Sequence, residues 1–542
     1  MNKIKQICIH KVCPYPRFAP PASNNPVPGL VTTKKLSKTS LGTPAKGGKK
    51  RGRPRKSGDN VDDNQTYSAK RAKTGVHKKK VGITEDIEIV ESEEEDEFEG
   101  GPIVFNFKLS ALKSAYMDPD SMKIRKYINS AVRDPDDYKA QDKTCEQLRK
   151  CLTSIDNAKK IVLFGGVEVI CNAMKGHPDK SIVVAEASCT LSELVWIFPD
   201  ISSKLVHVGA IDLIITAMNN WPNNSNKVLQ MGCAALRALS SDDNNIKKII
   251  DAGGLRVVLT SMERNPNRFE VQKLGCHFLQ NIVVYSIDAA TAISNSQVLP
   301  ILIEAMSKDS SDTEFKHIFC LLIANLALVK VSKESVSKSG AIPVIIEALN
   351  STNDVDVKQA ACISLNHLAT GSTGIQTRIT KAGGLSSAFG IIESYSNDPD
   401  LLFSSLSLIK ELCISDEDVA RQIIEMGGIK IILNVMETNP DLSTIQVACC
   451  GVIGYLVLEG RNEKYAPKLA KAIIAAMKNH SDVGEVQVQA CDALFELSQV
   501  RATRVVLKEK KTQELLLQAK SHFKPCESDV DDIIASCERS RR

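Results

Sequence analysis

The chain has 542 residues, of which 43% are hydrophobic, 25% charged and only 5% aromatic, which predicts more than one domain and a core of aliphatic side chains on helices. Its 16 cysteines fall inside apolar helical patterns and are not spaced as a disulfide framework. The N-terminus has no apolar signal core, and no apolar run reaches the roughly 18–20 residues that span a bilayer. A secreted disulfide scaffold and a helical membrane protein are therefore excluded, and a reduced, soluble, intracellular protein is expected.

The net charge of +5 conceals three unlike segments. Residues 1–80 hold 20 Lys/Arg and 3 Asp/Glu, residues 81–101 hold 10 Asp/Glu and no Lys/Arg, and residues 102–542 are near neutral. A basic arm on a neutral body implies a polyanionic partner. Residues 1–101 are rich in Pro, Gly, Ser, Thr and Lys and poor in periodic apolar residues. Such a segment cannot bury enough apolar surface to offset its ordering entropy, so it is expected to be disordered.

The sharpest short motif lies in this arm, at KKRGRPRKSG, 49–58. The core Arg51-Gly52-Arg53-Pro54, flanked by Lys50, Arg55 and Lys56, resembles an AT-hook. The narrow, strongly negative minor groove of A/T tracts attracts arginine. Gly52 lets the backbone enter that groove, Pro54 sets an extended path, and the outer basic residues reach phosphates. A basic stretch serving only nuclear import is the alternative. Lys70, Arg71 and Lys73, then Lys78, Lys79 and Lys80, lack the Gly-Arg-Pro core and are expected to act as nuclear-localisation signals. ESEEEDEFEG, 91–100, is expected to be a solvated acidic linker in which Ser92, followed by acidic residues, is a candidate phosphorylation site.

From about residue 101 helical periodicity begins. Residues 102–160 read as an N-terminal helical cap, in which CEQLRKCL (145–152) has the pattern of a third helix and NAKKIVLFGG (157–166) that of a short first helix. Over 161–500 the chain repeats itself. Met174, Met218, Met262, Met306, Leu349, Ile392, Met436 and Met477 close equivalent blocks spaced 44, 44, 44, 43, 43, 44 and 41 residues apart. A second series, from SCTLSEL (188–194) to CDALFEL (491–497), keeps the same period. In six of the eight copies a Gly-Gly or Gly-Ala pair ends a short helix; an apolar second helix follows, and a polar turn such as HPDKS (177) or NPDLS (439) leads to a longer third helix. Apolar residues at the first, fourth and seventh positions of the third-helix blocks share one buried face. The first is Cys in six of the eight blocks. On this reading a valine at Gly254 or Gly428 destabilises because the left-handed conformation excludes β-branched residues. Residues 501–542 are polar and charged and read as a C-terminal cap and mobile tail.

Three helices per 43 or so residues resemble armadillo repeats. The run of Gly-Gly, apolar residues, Pro, Ile-Gln-Val and Cys-x-x-Ile-x-x-Leu at 427–456 is similar to the armadillo repeats of leucine-rich-repeat kinases. The resemblance implies an all-α, right-handed solenoid of about eight repeats, a groove lined by third helices, protein binding and no catalysis. Importin-α proteins, of the same class, bind nuclear-localisation peptides with a Trp four residues before an Asn on successive third helices. The Asn-equivalent positions here are Glu193, Ala238, Asn281, Asn325, His367, Glu411, Tyr455 and Glu496, and none of the Trp-equivalent positions is Trp. Classical import-receptor function is therefore not expected. By the same analogy Glu193, Asn281, Asn325, His367, Glu411, Tyr455 and Glu496 would line the concave groove, and three acidic residues suggest basic or polar peptides.

No Walker loop, dinucleotide fingerprint, HExxH or GxSxG occurs. Cys8, His10 and Cys13 lack the second ligand pair that structural zinc requires. No catalytic residue, cofactor, metal, membrane or small-molecule substrate is expected. The sequence predicts a non-enzymatic nuclear scaffold that holds a protein or peptide in its groove and is tethered to A/T-rich DNA by its tail. The alternative is a cytoplasmic or shuttling adaptor whose tail is only a localisation or anionic-surface signal.

Overall fold

The structure, a computed structural model, describes residues 118–221, 225–308, 311–414, 417–456 and 463–539. Lys50–Lys56, the basic clusters at 70–80 and Ser92 lie outside them. Among the described residues every regular element is helical. Helix α1 (Pro119–Arg133) and α2 (Tyr138–Cys151) come first. Triplets follow: α3 (Ile155–Leu163), α4 (Gly166–Gly176) and α5 (Ser181–Ile197); α6 (Ser202–His207), α7 (Ala210–Asn220) and α8 (Asn226–Leu239). Next are α9 (Asp243–Asp251), α10 (Gly254–Arg264) and α11 (Phe269–Val283), then α12 (Ile287–Asn295), α13 (Val298–Lys308) and α14 (Thr313–Ala327). The array continues with α15 (Lys330–Lys338), α16 (Ala341–Ser351) and α17 (Val355–Ala369), and with α18 (Thr373–Lys381), α19 (Gly384–Ser394) and α20 (Pro399–Cys413). It closes with α21 (Glu417–Glu425), α22 (Gly428–Thr438) and α23 (Ser443–Leu456), the pair α24 (Ala466–Asn479) and α25 (Gly484–Ser498), and α26 (Arg504–Leu507), α27 (Lys510–His522) and α28 (Glu527–Arg539). Third helix packs on third helix from α2 through α25 to α28. This is an α-solenoid of armadillo type.

The first-to-second-helix corner depends on two glycines doing different work. The first of each pair is left-handed, as at Gly253 (φ +87°) and Gly427 (φ +78°). The second sits against the preceding helix. A Cβ on Gly254 would lie 2.5 Å from Ile249 Cγ2 and 2.8 Å from the Ile249 carbonyl oxygen, and one on Gly428 would meet Ile423 equally closely. The expectation about Gly254 and Gly428 is thus corrected in its cause. Their substitution is opposed by close packing, and the left-handed strain belongs to Gly253 and Gly427. In the fourth copy Gln297 stands at the position of the left-handed glycine, and the preceding Ser296 (φ −83°) donates its hydroxyl to the Ile293 carbonyl at 2.7 Å and accepts from Val298 N at 3.2 Å.

The second-to-third-helix turn is stapled by a buried amide. Gln446 Nε2 donates to the carbonyls of Met436 (3.0 Å) and Asn439 (2.8 Å), and Gln487 to those of Met477 (2.8 Å) and His480 (2.9 Å). Gln141 and Gln272 repeat the arrangement, and in α17 the Lys358 ammonium reaches the Leu349 carbonyl instead, at 2.7 Å. This is why Val-Gln recurs at the start of third helices. Orphan carbonyls at the end of a helix need donors. Neighbouring turns are stitched by ring donors: His177 Nε2 to the Pro135 carbonyl (2.9 Å), Trp221 Nε1 to Pro178 (3.2 Å) and His480 Nε2 to Pro440 (2.8 Å). Asp312, Asp354 and Asp398 cap α14, α17 and α20 through their carboxylates, each adding about 1 kcal/mol of helix stability.

The core follows the 1-4-7 pattern of the third helices: Cys233, Leu236 and Leu239, like Cys491, Leu494 and Leu497, are buried. Burial pushes the thiols of Cys233, Cys320, Cys362 and Cys450 up to about 12, so they pack as small hydrophobes and do not act as nucleophiles. The segment 501–542, expected to be a C-terminal cap and mobile tail, forms helices α26 to α28 over most of 504–539. Cys526, Val530 and Ile533 are buried, and α28 extends the third-helix stack onto α25. Its apolar positions were diluted by charge, which hid a ninth unit.

Candidate binding face of the third helices

The third helices present one row of side chains per repeat at the positions singled out by phase. Most are held by the neighbouring helix. Glu193 accepts from Arg149 Nη1 at 3.3 Å. Asn281 Nδ2 donates to Ser240 Oγ at 3.0 Å. His367 Nδ1 donates to the Ala324 carbonyl at 3.1 Å, and burial lowers its pKa. Burial raises Glu411, which Thr370 hydrogen-bonds. Tyr455 and Glu496 are half-buried and also raised by burial, and Asn325 is half-buried. The seven residues therefore lie on one face, one per third helix. At least three of them tie successive repeats together, a role that phase could not reveal.

Two polar clusters one or two turns earlier on the same helices escaped the sequence reading. The buried Glu186 carboxylate lies between Arg149 Nε (2.6 Å) and Lys227 Nζ (3.2 Å), linking α2, α5 and α8. Lys273 Nζ sits 2.8 Å from Asp312 and 2.6 Å from Glu314, whose other oxygen is 3.1 Å from His277 Nε2. Burial lowers His277 to about 4. Glu314 is held at about 2, because hydrogen bonds from His277 and Lys273 outweigh its burial. The imidazole is therefore neutral and donates to a carboxylate, a tether between α11 and α14. Opposite charges 37–44 residues apart, one repeat period, were the available signal.

At the C-terminal end the face opens. Lys410 Nζ on α20 crosses α23 to reach Gln489 Oε1 on α25 at 2.7 Å, and Gln489 Nε2 donates to Asp492 Oδ2 at 2.8 Å. Asp492 in turn lies beside Asp529 of α28. Burial first, and then Asp492, raise Asp529 to about 6. Among the described residues no cluster of three or more His, Cys, Asp or Glu has metal-site geometry.

The comparisons agree with this architecture. No family model matches the chain. Importin subunit alpha-8 of Arabidopsis thaliana is 28% identical over 172 residues, 32% of this chain and 37% of its own length. The chain thus spans little more than a third of that relative. An engineered protein of known structure superposes with a TM-score of 0.64 at 19% identity, over 78% of this chain and 99% of that one. A structure from work on the phosphorylation-controlled interaction between cadherin and beta-catenin gives 0.57 at 13% identity, over 79% and 97%. These structural likenesses show the armadillo-like fold.

Proposed function

We propose that this chain is a non-enzymatic scaffold whose third-helix groove holds an extended protein segment, and whose basic tail contacts A/T-rich DNA in the nucleus. The observation that carries the first part is the face itself. A stacked array of third helices presents polar, half-buried side chains at one position per repeat, a spacing suited to reading successive residues of one peptide. The importin relative and the beta-catenin structure come from the same class of architecture. The second part rests on Arg51-Gly52-Arg53-Pro54. A single hook binds weakly, so the groove partner would supply the rest of the residence time. The chain lacks the Trp-Asn array, which argues against a classical import receptor. The second reading, a shuttling adaptor, is favoured only by Lys70–Lys80, which lack the Gly-Arg-Pro core.

Fluorescence anisotropy of the full chain on A/T-rich and G/C-rich duplexes at two salt concentrations tests the tether. Preference for A/T that disappears in Arg53→Ala supports it. Binding that ignores base composition and vanishes at moderate salt reduces the tail to an electrostatic or localisation element. Imaging the same variant separates the two roles, because a hook variant that still enters the nucleus leaves import to the other clusters.

A further inference from the structure

At its C-terminal end the third-helix face has a recess that its own side chains do not fill. On α23 two glycines one turn apart, Gly451 and Gly454, stand where the flanking helices carry Ser407 and Lys410 or Asp492 and Phe495. The recess has a volume of about 300 Å³ and is walled by Lys410, Tyr455, Gln489, Asp492, Glu496 and Asp529. Gly451 leaves room for the Lys410–Gln489 crossing, because a Cβ there would lie 3.0 Å from both Gln489 Oε1 and Lys410 Cδ and would push those side chains aside. Beside Gly454 there is space, the nearest atom being Ala493 Cα at 3.8 Å.

Its electrostatics are unbalanced. Three carboxylates from two helices face one ammonium. That ammonium is spent on an amide, Gln489, and among the described residues Asp492, Glu496 and Asp529 form no ion pair. Asp492 and Asp529 stand side by side in its wall, so each carboxylate repels the other. Elsewhere on the face the carboxylates have cations of their own: Glu186 has Arg149 and Lys227, and Glu314 has Lys273. The C-terminal end combines an empty volume, an aromatic wall from Tyr455 and Phe495, and three carboxylates that outnumber the single Lys410 ammonium.

We propose that this recess receives one lysine or arginine side chain of an extended partner segment lying along the third-helix face. The glycine floor admits the aliphatic stem beside Tyr455, and the charged head sits among Asp492, Glu496 and Asp529. An acidic side chain is repelled there, and an apolar one leaves the carboxylates uncompensated. This subsite rests on the scaffold reading, but it can fail without that reading failing.

The test uses a fluorescein-labelled (Gly-Ser-Lys)4 peptide titrated into the full chain, beside the same peptide with norleucine for lysine. Two kinds of variant separate shape from charge. Gly454→Met fills the recess and leaves its charge. Asp492→Asn with Asp529→Asn removes charge and leaves the shape. Asp441→Asn, at an exposed carboxylate on the adjacent turn, controls for diffuse attraction. The expected result is a loss of roughly tenfold in affinity in each recess variant, the size of one charge-assisted contact, with no change in Asp441→Asn and no fall in melting temperature in any variant. Unchanged binding in Gly454→Met overturns the subsite, since lysine is then held by the field of the acidic segments. Should Gly454→Met not fold, equal losses in the double asparagine variant and in Asp441→Asn overturn it equally. A protein partner that crosslinks along α11 to α17, while the peptide ignores the recess, removes the subsite and leaves the scaffold.

Discussion

The paired glycines at the helix corners make opposite demands, and alanine substitution separates them. At Gly427 the backbone is left-handed (φ +78°), but a Cβ meets nothing within 4 Å. The only cost is conformational, about 1–2 kcal/mol for an L-residue in that region. At Gly428 the backbone is ordinary, but the Cβ falls 2.6 Å from Ile423 Cγ2, 2.9 Å from the Ile423 carbonyl oxygen and 2.9 Å from Phe389 Cζ. Ordinary contact begins near 3.4 Å, so the neighbours must retreat by more than half an ångström. One of them is backbone that closes α21 and cannot rotate away, and Phe389 is buried in the previous repeat. Overpacking of this kind costs about 1–3 kcal/mol or somewhat more. Gly428→Ala should therefore destabilise more than Gly427→Ala. Gly427→Asn should be milder still, because asparagine tolerates the left-handed region, whereas Gly428→Asn should be at least as damaging as alanine. Urea denaturation followed by helical circular dichroism gives the order of midpoints. Hydrogen exchange over 417–438 localises the effect, which matters because repeat arrays need not unfold in one step. Equal or greater damage from Gly427→Ala would refute the close-packing argument and return the corner to backbone strain alone.

Two further outcomes follow from the same geometry. Asp529 is raised from an ordinary carboxyl value to about 6 by burial and by Asp492, so the fold favours its protonated form. Its stabilising contribution is complete below about pH 4 and is lost as pH rises through 6. The site is partly open to water, which limits the effect to about 1 kcal/mol after screening. Asp529→Asn should therefore raise the melting temperature at pH 7 and flatten its slope between pH 4 and 7, and an unchanged slope counts against the carboxyl pair. Gln446→Leu leaves the Met436 and Asn439 carbonyls without their shared donor and should cost about 1–3 kcal/mol. Gln446→Glu should be no better, because an ionised carboxylate cannot donate, and a denaturation midpoint equal to that of the unaltered chain would show that the staple is dispensable.

The period, the helix order and the buried 1-4-7 face were legible because they are one-dimensional facts. A repeat must present the same apolar stripe to each neighbour, so spacing of 41–44 residues carries the solenoid almost by itself. The glycine pair was legible as a corner but not as two distinct constraints, since sequence shows composition and not which Cβ would strike Ile249 or Ile423. The Val-Gln recurrence was visible, but its purpose was not: only the fold brings Nε2 within reach of carbonyls 7 and 10 residues upstream. The ninth unit was missed because α27 and α28 dilute their apolar positions with charge, as a solvent-facing terminal repeat does. The third-helix row was found by phase. Phase fixes which face a residue occupies, but it is silent on whether a residue one period away, such as Arg149 for Glu193, already uses its hydrogen-bonding capacity.

That last distinction bears on where a partner binds. Over the first two-thirds of the solenoid, the polar residues of the third-helix face are largely spent on one another: Glu186 and Glu193 on Arg149, Asn281 on Ser240, Glu314 on Lys273 and His277, His367 on the Ala324 carbonyl. A ligand there must compete with charge-assisted bonds that are already made, and it gains only the difference. From α20 onward the balance changes. Lys410 is diverted across Gly451 to an amide, Glu411, Glu496 and Asp529 all have raised pKa values, and the side chains that would fill the gap are absent from α23. Raised carboxylates are the mark of anions that the fold has desolvated without neutralising, so a cation arriving from outside gains the whole interaction. On the proposed reading the N-terminal two-thirds serve as a frame, and a basic partner would draw most of its binding energy from the C-terminal third, where α28 completes the wall.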